Sequence, residues 1–84
     1  LSKKNVKRFG PEVGDIIVFK SSRRLYATRH DVTSFNRDLI GVLNDDSLAI
    51  VIDRFDDDTY HLVNVMTPDA GVGWTGAGRI EVVT

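Results

Sequence analysis

The stretch YHLVNVMTPDAGVGWTGAGRIEVV, running from Tyr60 to Val83, decides the fold. Tyr60-His61-Leu62-Val63-Asn64-Val65 is rich in β-forming residues and reads as a strand. Thr67-Pro68-Asp69-Ala70-Gly71 is a turn cluster, and Val72-Gly73-Trp74-Thr75 a second short strand. Gly76-Ala77-Gly78-Arg79 bends the chain into a last strand, Ile80-Glu81-Val82-Val83.

Upstream, the same alternation of short strands and polar turns continues. Asp56-Asp57-Asp58-Thr59 reads as a hairpin turn after Leu48-Ala49-Ile50-Val51-Ile52, a continuous apolar run that Arg54 and Phe55 extend. With the Tyr60 strand this makes a meander of three strands. Asn44-Asp45-Asp46-Ser47 separates that run from Leu39-Ile40-Gly41-Val42-Leu43, where Gly41 marks a bulge or a close backbone approach. The strongest strand, Ile16-Ile17-Val18-Phe19-Lys20, is entered through Val13-Gly14-Asp15 and is apolar on both sides. Nothing carries a 3.6-residue apolar period over the length a helix needs, so the pattern predicts an all-β domain. Ile16, Val18, Leu43, Ile50, Ile52, Leu62, Val65 and Ile80 are the expected core.

Residues 21–38, SSRRLYATRHDVTSFNRD, follow neither period. A loop of this length in a small domain is expected to carry function or to contain short strands folded over the core. An alternative is one helical turn over residues 31–37 with Asp31 as its cap. Residues 1–10 read as a flexible basic arm holding Lys3, Lys4, Lys7 and Arg8, with residues 11–84 as the folded domain.

The chain has 84 residues and a formal net charge of −1, but the charge is unevenly placed. Residues 1–40 hold nine Lys/Arg against four Asp/Glu, and residues 41–84 two against eight. Either the halves neutralise one another across the fold, or the basic half faces nucleic acid or an acidic protein. The absence of cysteine rules out disulfides and thiolate metal sites, and fits a reducing, cytoplasmic setting. No apolar run reaches membrane-spanning length.

Val13-Gly14-Asp15-Ile16-Ile17-Val18-Phe19-Lys20, with Ile40-Gly41-Val42-Leu43 later, resembles the opening of KOW-type and related SH3-like domains. Gly73-Trp74-Thr75 followed by Arg79-Ile80-Glu81-Val82-Val83 is similar to the closure of small SH3-like proteins, many of them encoded by tailed bacteriophages. The resemblance implies a small SH3-like barrel of five main strands, with a long loop between the first two. It further implies a non-enzymatic binding module, such as a phage accessory or host-interaction protein, that contacts a protein partner through the 21–38 loop. KOW-like nucleic-acid binding is the alternative, and a small hydrolase or toxin-like ribonuclease on a related barrel a distant third. In contrast with the KOW pattern, no glycine stands between Asp15 and Ile40. The acidic-aromatic loop of peptide-binding SH3 domains is also absent.

The residues assigned to partner binding are Arg23, Arg24, Tyr26, Arg29, Phe35, Arg37 and Trp74. Guanidinium groups interleaved with aromatic rings suit acidic or π-rich surfaces, and sole tryptophans often anchor interfaces. Other clusters read as structural. Asp56-Asp57-Asp58 is a solvated turn, because adjacent residues in a tight hairpin do not converge on one ion. His30 and His61 lack a nucleophile motif, and Gly71, Gly73, Gly76 and Gly78 lack the Lys-Ser/Thr and helix of a phosphate loop. No catalytic residue, metal or cofactor is expected.

Overall fold

A computed structural model describes residues 10–34 and 38–83. The described residues form β1 (Ile16–Phe19), β2 (Arg23–Tyr26), α1 (Arg29–Val32), β3 (Leu39–Leu43), β4 (Leu48–Asp56), β5 (His61–Thr67), β6 (Gly71–Gly76) and β7 (Ile80–Val83). All strand pairs are antiparallel, in one sheet of order β3-β2-β6-β5-β4-β1-β7. The all-β expectation holds. There are seven strands where the resemblance implied five main ones, and the sheet stays open, with β3 and β7 as its edges. The one strand that matches none of the six strand-like segments, β2, lies in the 21–38 stretch together with α1. The 1–9 part of the basic arm falls outside the described residues, as do Phe35 and Arg37.

The turns work through the residues that announced them. In the β3–β4 turn Ser47 donates its backbone N–H to the carbonyl of Asn44, and Asp46 takes φ 68, a left-handed conformation that Asp tolerates. In the β5–β6 hairpin the Thr67 hydroxyl donates to the Gly71 carbonyl (3.1 Å) and accepts from the Ala70 N–H (2.9 Å). Gly71 closes it at φ +81, where a side chain would be strained.

The core is Ile17, Phe19, Leu25, Leu43, Ala49, Val51, Val63, Val65 and Ala77. Leu43, Leu62 and Val65 are buried as expected, and Ile80 is half-buried against the cluster. In β1 and β4 the opposite face points inward. Ile16, Ile50 and Ile52 are exposed and Val18 is half-buried, while Ile17, Phe19, Ala49 and Val51 are buried. Both faces of these strands are apolar, so alternation alone does not choose between them. The deciding residue is Lys20, which shares the side of Ile16 and Val18 and sits exposed, 3.5 Å from Asp46 and 3.6 Å from Glu81. A charged residue in the row marks the solvent side.

Candidate functional site: an aromatic groove beside the short helix

Residues 23–32 are ordered by contacts with the sheet rather than by local preference. Arg23-Arg24-Leu25-Tyr26 pairs with β3 along its length, with a bulge between Leu25 and Tyr26, and reaches β6 through the single pair Tyr26 and Trp74. Leu25 is fully buried in the core. Thr28 then caps α1: its hydroxyl oxygen accepts the Asp31 N–H (3.2 Å), and the hydroxyl donates to the Asp31 carboxylate (3.0 Å). The cap is Thr28, three residues before the expected Asp31, and the turn spans Arg29–Val32.

This short helix forms one wall of an open groove of about 560 Å³. Phe55 at the end of β4, Tyr60 after the hairpin turn, Leu62 on β5 and Trp74 on β6 supply its apolar surface. They converge for a register reason: Leu62 is paired with Phe55 across the β4–β5 ladder, and Trp74 is paired with Asn64 on the next. Residues 55, 62 and 74 therefore share one face of the sheet. The Arg29 guanidinium lies 4.2 Å from the centre of the Phe55 ring, a cation–π contact that fixes the helix over the strand.

Across the groove stands Asp57, whose carboxylate accepts N–H bonds from Thr59 (2.8 Å) and Tyr60 (2.6 Å). These backbone donors stabilise the ionised form and hold the Asp57 pKa below the ordinary carboxylate value. The groove thus carries a cation on its helix side, an anion on its hairpin side and aromatic rings between. Its volume lies within the range of ligand sites, and its lining is divided between apolar groups and the polar side chains of Thr28, Arg29, His30, Thr33 and Asp57.

The five described residues among the seven assigned from sequence separate in space. Arg29 and Trp74 line the groove. Tyr26 is buried on β2 and borders a second cavity of about 530 Å³, together with Arg23, Arg24, Val42 and Thr75. Arg23 is engaged by the fold: it donates to the carbonyls of Gly76 and Gly78, both at 2.6 Å, and lies 4.8 Å from the Phe19 ring centre. Burial, and secondarily the nearby Arg79, lower its pKa. Arg24 points outward and is exposed.

Phe55, Asp57, Tyr60 and Leu62 were not among the expected site residues. The signal for them was present in Phe55-Asp56-Asp57-Asp58-Thr59-Tyr60, an acidic turn with an aromatic residue at each end. A hairpin brings such a pair to one rim. Among the described residues there is no group of His, Cys, Asp or Glu arranged to hold a metal ion, and no helix long and apolar enough to cross a membrane. No protein-family model, curated protein or solved structure matches the chain.

Proposed function

We propose that this chain is a non-enzymatic binding module of the SH3-like kind, and that its groove receives an extended segment of a protein partner. The carrying observation is the convergence of Phe55 and Tyr60, from the two arms of one hairpin, with Trp74 from β6, on one open groove flanked by Arg29 and Asp57. Rigid aromatic surfaces give large contact area at small entropic cost, and aromatic-lined grooves suit extended peptide backbones. The two opposite charges set the direction in which such a segment lies.

The groove favours protein over nucleic acid. Phosphate binding needs cations along a track, whereas here Arg29 already stacks on Phe55 and the facing turn is Asp56-Asp57-Asp58. The 21–38 segment keeps a part in the contact through α1, and Trp74 is its fixed anchor.

Titration of isotope-labelled protein with an array of extended peptides and with single-stranded oligonucleotides tests this reading. Peptides are expected to shift the signals of Trp74, Tyr60 and Arg29, and Trp74→Ala should weaken that binding at least tenfold, as for a central interface aromatic. If oligonucleotides alone bind, steeply salt-dependent and through Arg24, the KOW-like alternative replaces it.

A further inference from the structure

One row of side chains on the outer face of the sheet has no polar member. Val83 on β7 pairs with Ile16 on β1, Ile16 with Ile50 on β4, Ile50 with Met66 on β5, and Met66 with Val72 on β6. All five are exposed, between 42% and 48%. Adjacent to the row, Leu48 is 51% exposed. Ile16, Leu48, Ile50 and Met66, with Pro68, line an apolar cavity of about 360 Å³ on this face. The row crosses five adjacent strands, a length of roughly 19 Å at the usual strand spacing. It shares no lining residue with the aromatic groove, which begins one step further along the same face, where Trp74 follows Val72 on β6.

Single exposed apolar residues are ordinary, but a continuous stripe is not. Six side chains about half exposed present an apolar patch on the order of 500 Å², the size at which a monomer's surface marks an interaction site. An antiparallel sheet with a solvated face normally alternates apolar and polar residues. This one does not: β4 reads Leu48-Ala49-Ile50-Val51-Ile52.

We infer that this stripe is the interface of a symmetric homodimer, in which two copies pack their sheets face to face. The stripe carries no charge and no hydrogen-bonding side chain, so it offers nothing to a polar or charged ligand. Its complement is another flat, uncharged sheet face. The row is also nearly the same read from either end, Val-Ile-Ile-Met-Val with Ile50 at its centre. Two-fold apposition therefore places like-sized side chains against one another, which is the self-complementarity an isologous contact requires. Stacking the stripe on itself removes on the order of 1,000 Å² in total, the lower bound for a specific interface. The 360 Å³ hollow gives the protruding Leu48 and Met66 of the second copy a place to seat. Lys20, Asp46 and Glu81 lie beyond one margin, in the rim position where charges favour the correct register over others.

Sedimentation over a concentration series, from nanomolar to several hundred micromolar, tests the inference. The wild-type chain is expected to pass from monomer to dimer and no further. Ile50→Asp and, separately, Met66→Glu should leave a monomer at the top of the series, with the circular dichroism spectrum of the wild type. Val42→Asp, a change at a more exposed apolar residue on edge strand β3, should leave the dimer intact and controls for general charge effects. A wild-type monomer throughout would overturn the inference, whether the stripe is then found bare, covered by another segment of this chain, or bound to a different protein. A dimer that survives both Ile50→Asp and Met66→Glu would overturn it equally. None of these outcomes depends on ligand binding in the groove.

Discussion

The β4–β6 meander and the excursion from Ser21 to Leu43 are built of similar short pieces but are held in different ways. In the meander, β4 and β5 pair from Ile50 to Asp56, and β5 and β6 from Leu62 to Thr67, so each strand is fixed by a long ladder. The excursion has one ladder of its own, β2 with β3, and meets the rest of the sheet at the one pair Tyr26 and Trp74. What secures it is a few side chains: Leu25 in the core, Arg23 on two carbonyls, and Arg29 on Phe55. The difference separates scaffold from site. The ladders make a rigid platform, and the groove forms where the side-chain-anchored segment lies against it.

The largest expected effect is on the platform. Phe19→Ala should cost about 3–5 kcal/mol, much of the total stability of a domain this small, and leave a chain that is barely folded at 25 °C in denaturant titrations. A mild effect would mean that the centre of the core lies elsewhere. Leu25→Ala tests whether the two regions unfold together. Because Leu25 belongs to the same cluster as Phe19, about 2–5 kcal/mol should be lost from the global transition. If hydrogen exchange instead shows protection lost only over residues 23–43 with the melt unmoved, the excursion is a separate cooperative unit.

Arg23→Ala should cost about 1–2 kcal/mol, since two charge-assisted bonds to carbonyls disappear, whereas Arg24→Ala should be close to neutral. Equal effects of the two would show that the Gly76 and Gly78 contacts contribute little. On the monomer, Ile50→Ala should change stability by less than about 1 kcal/mol, because its side chain is already 42% exposed. The smallest effect concerns pH. The Asp57 pKa is lower in the folded chain, so its contribution to the β4–β5 turn is complete above the ordinary carboxylate pKa and is lost as pH falls through the folded value. Asp57→Asn should flatten that acid limb of the stability profile; an unchanged limb would assign it to other carboxylates.

The platform was legible because its strands are apolar runs between turn residues such as Asn44-Asp45-Asp46-Ser47 and Thr67-Pro68-Asp69-Ala70-Gly71. Which face of β1 turns inward was signalled only by Lys20, and in Leu48-Ala49-Ile50-Val51-Ile52 by nothing, since Ile50 and Val51 are interchangeable by hydropathy. β2 offered only Leu25 and Tyr26 after two arginines, a strand made by tertiary contact alone. α1 was marked by Thr28-x-x-Asp31, a capping spacing, although four residues are too few for any apolar period. Of the groove, Arg29 and Trp74 were identifiable by residue type. Phe55, Tyr60 and Leu62 require the hairpin register to be brought to the same rim.

The Arg54 side chain, 1% exposed, donates to both oxygens of Asp56, at 3.1 and 2.6 Å, and to the carbonyl of Pro11, while Asp56 also meets His61 Nδ1 at 2.7 Å. Hydrophobic burial scarcely distinguishes one sliding position of Leu48-Ala49-Ile50-Val51-Ile52 from the next. A buried cation does. Moving β4 by a single residue against β5 would carry Arg54 and Asp56 together, but it would part the guanidinium from the Pro11 carbonyl and the Asp56 carboxylate from His61, a loss larger than any difference in apolar fit. The pair therefore acts as a key that selects one alignment of an otherwise ambiguous strand, the one that brings Phe55 opposite Leu62. Replacing both members, Arg54→Met with Asp56→Leu, should preserve compactness while the amide spectrum splits into more than one set of β4 signals. A single sharp set would show that the bulge between Val51 and Asp53 is enough to set the alignment.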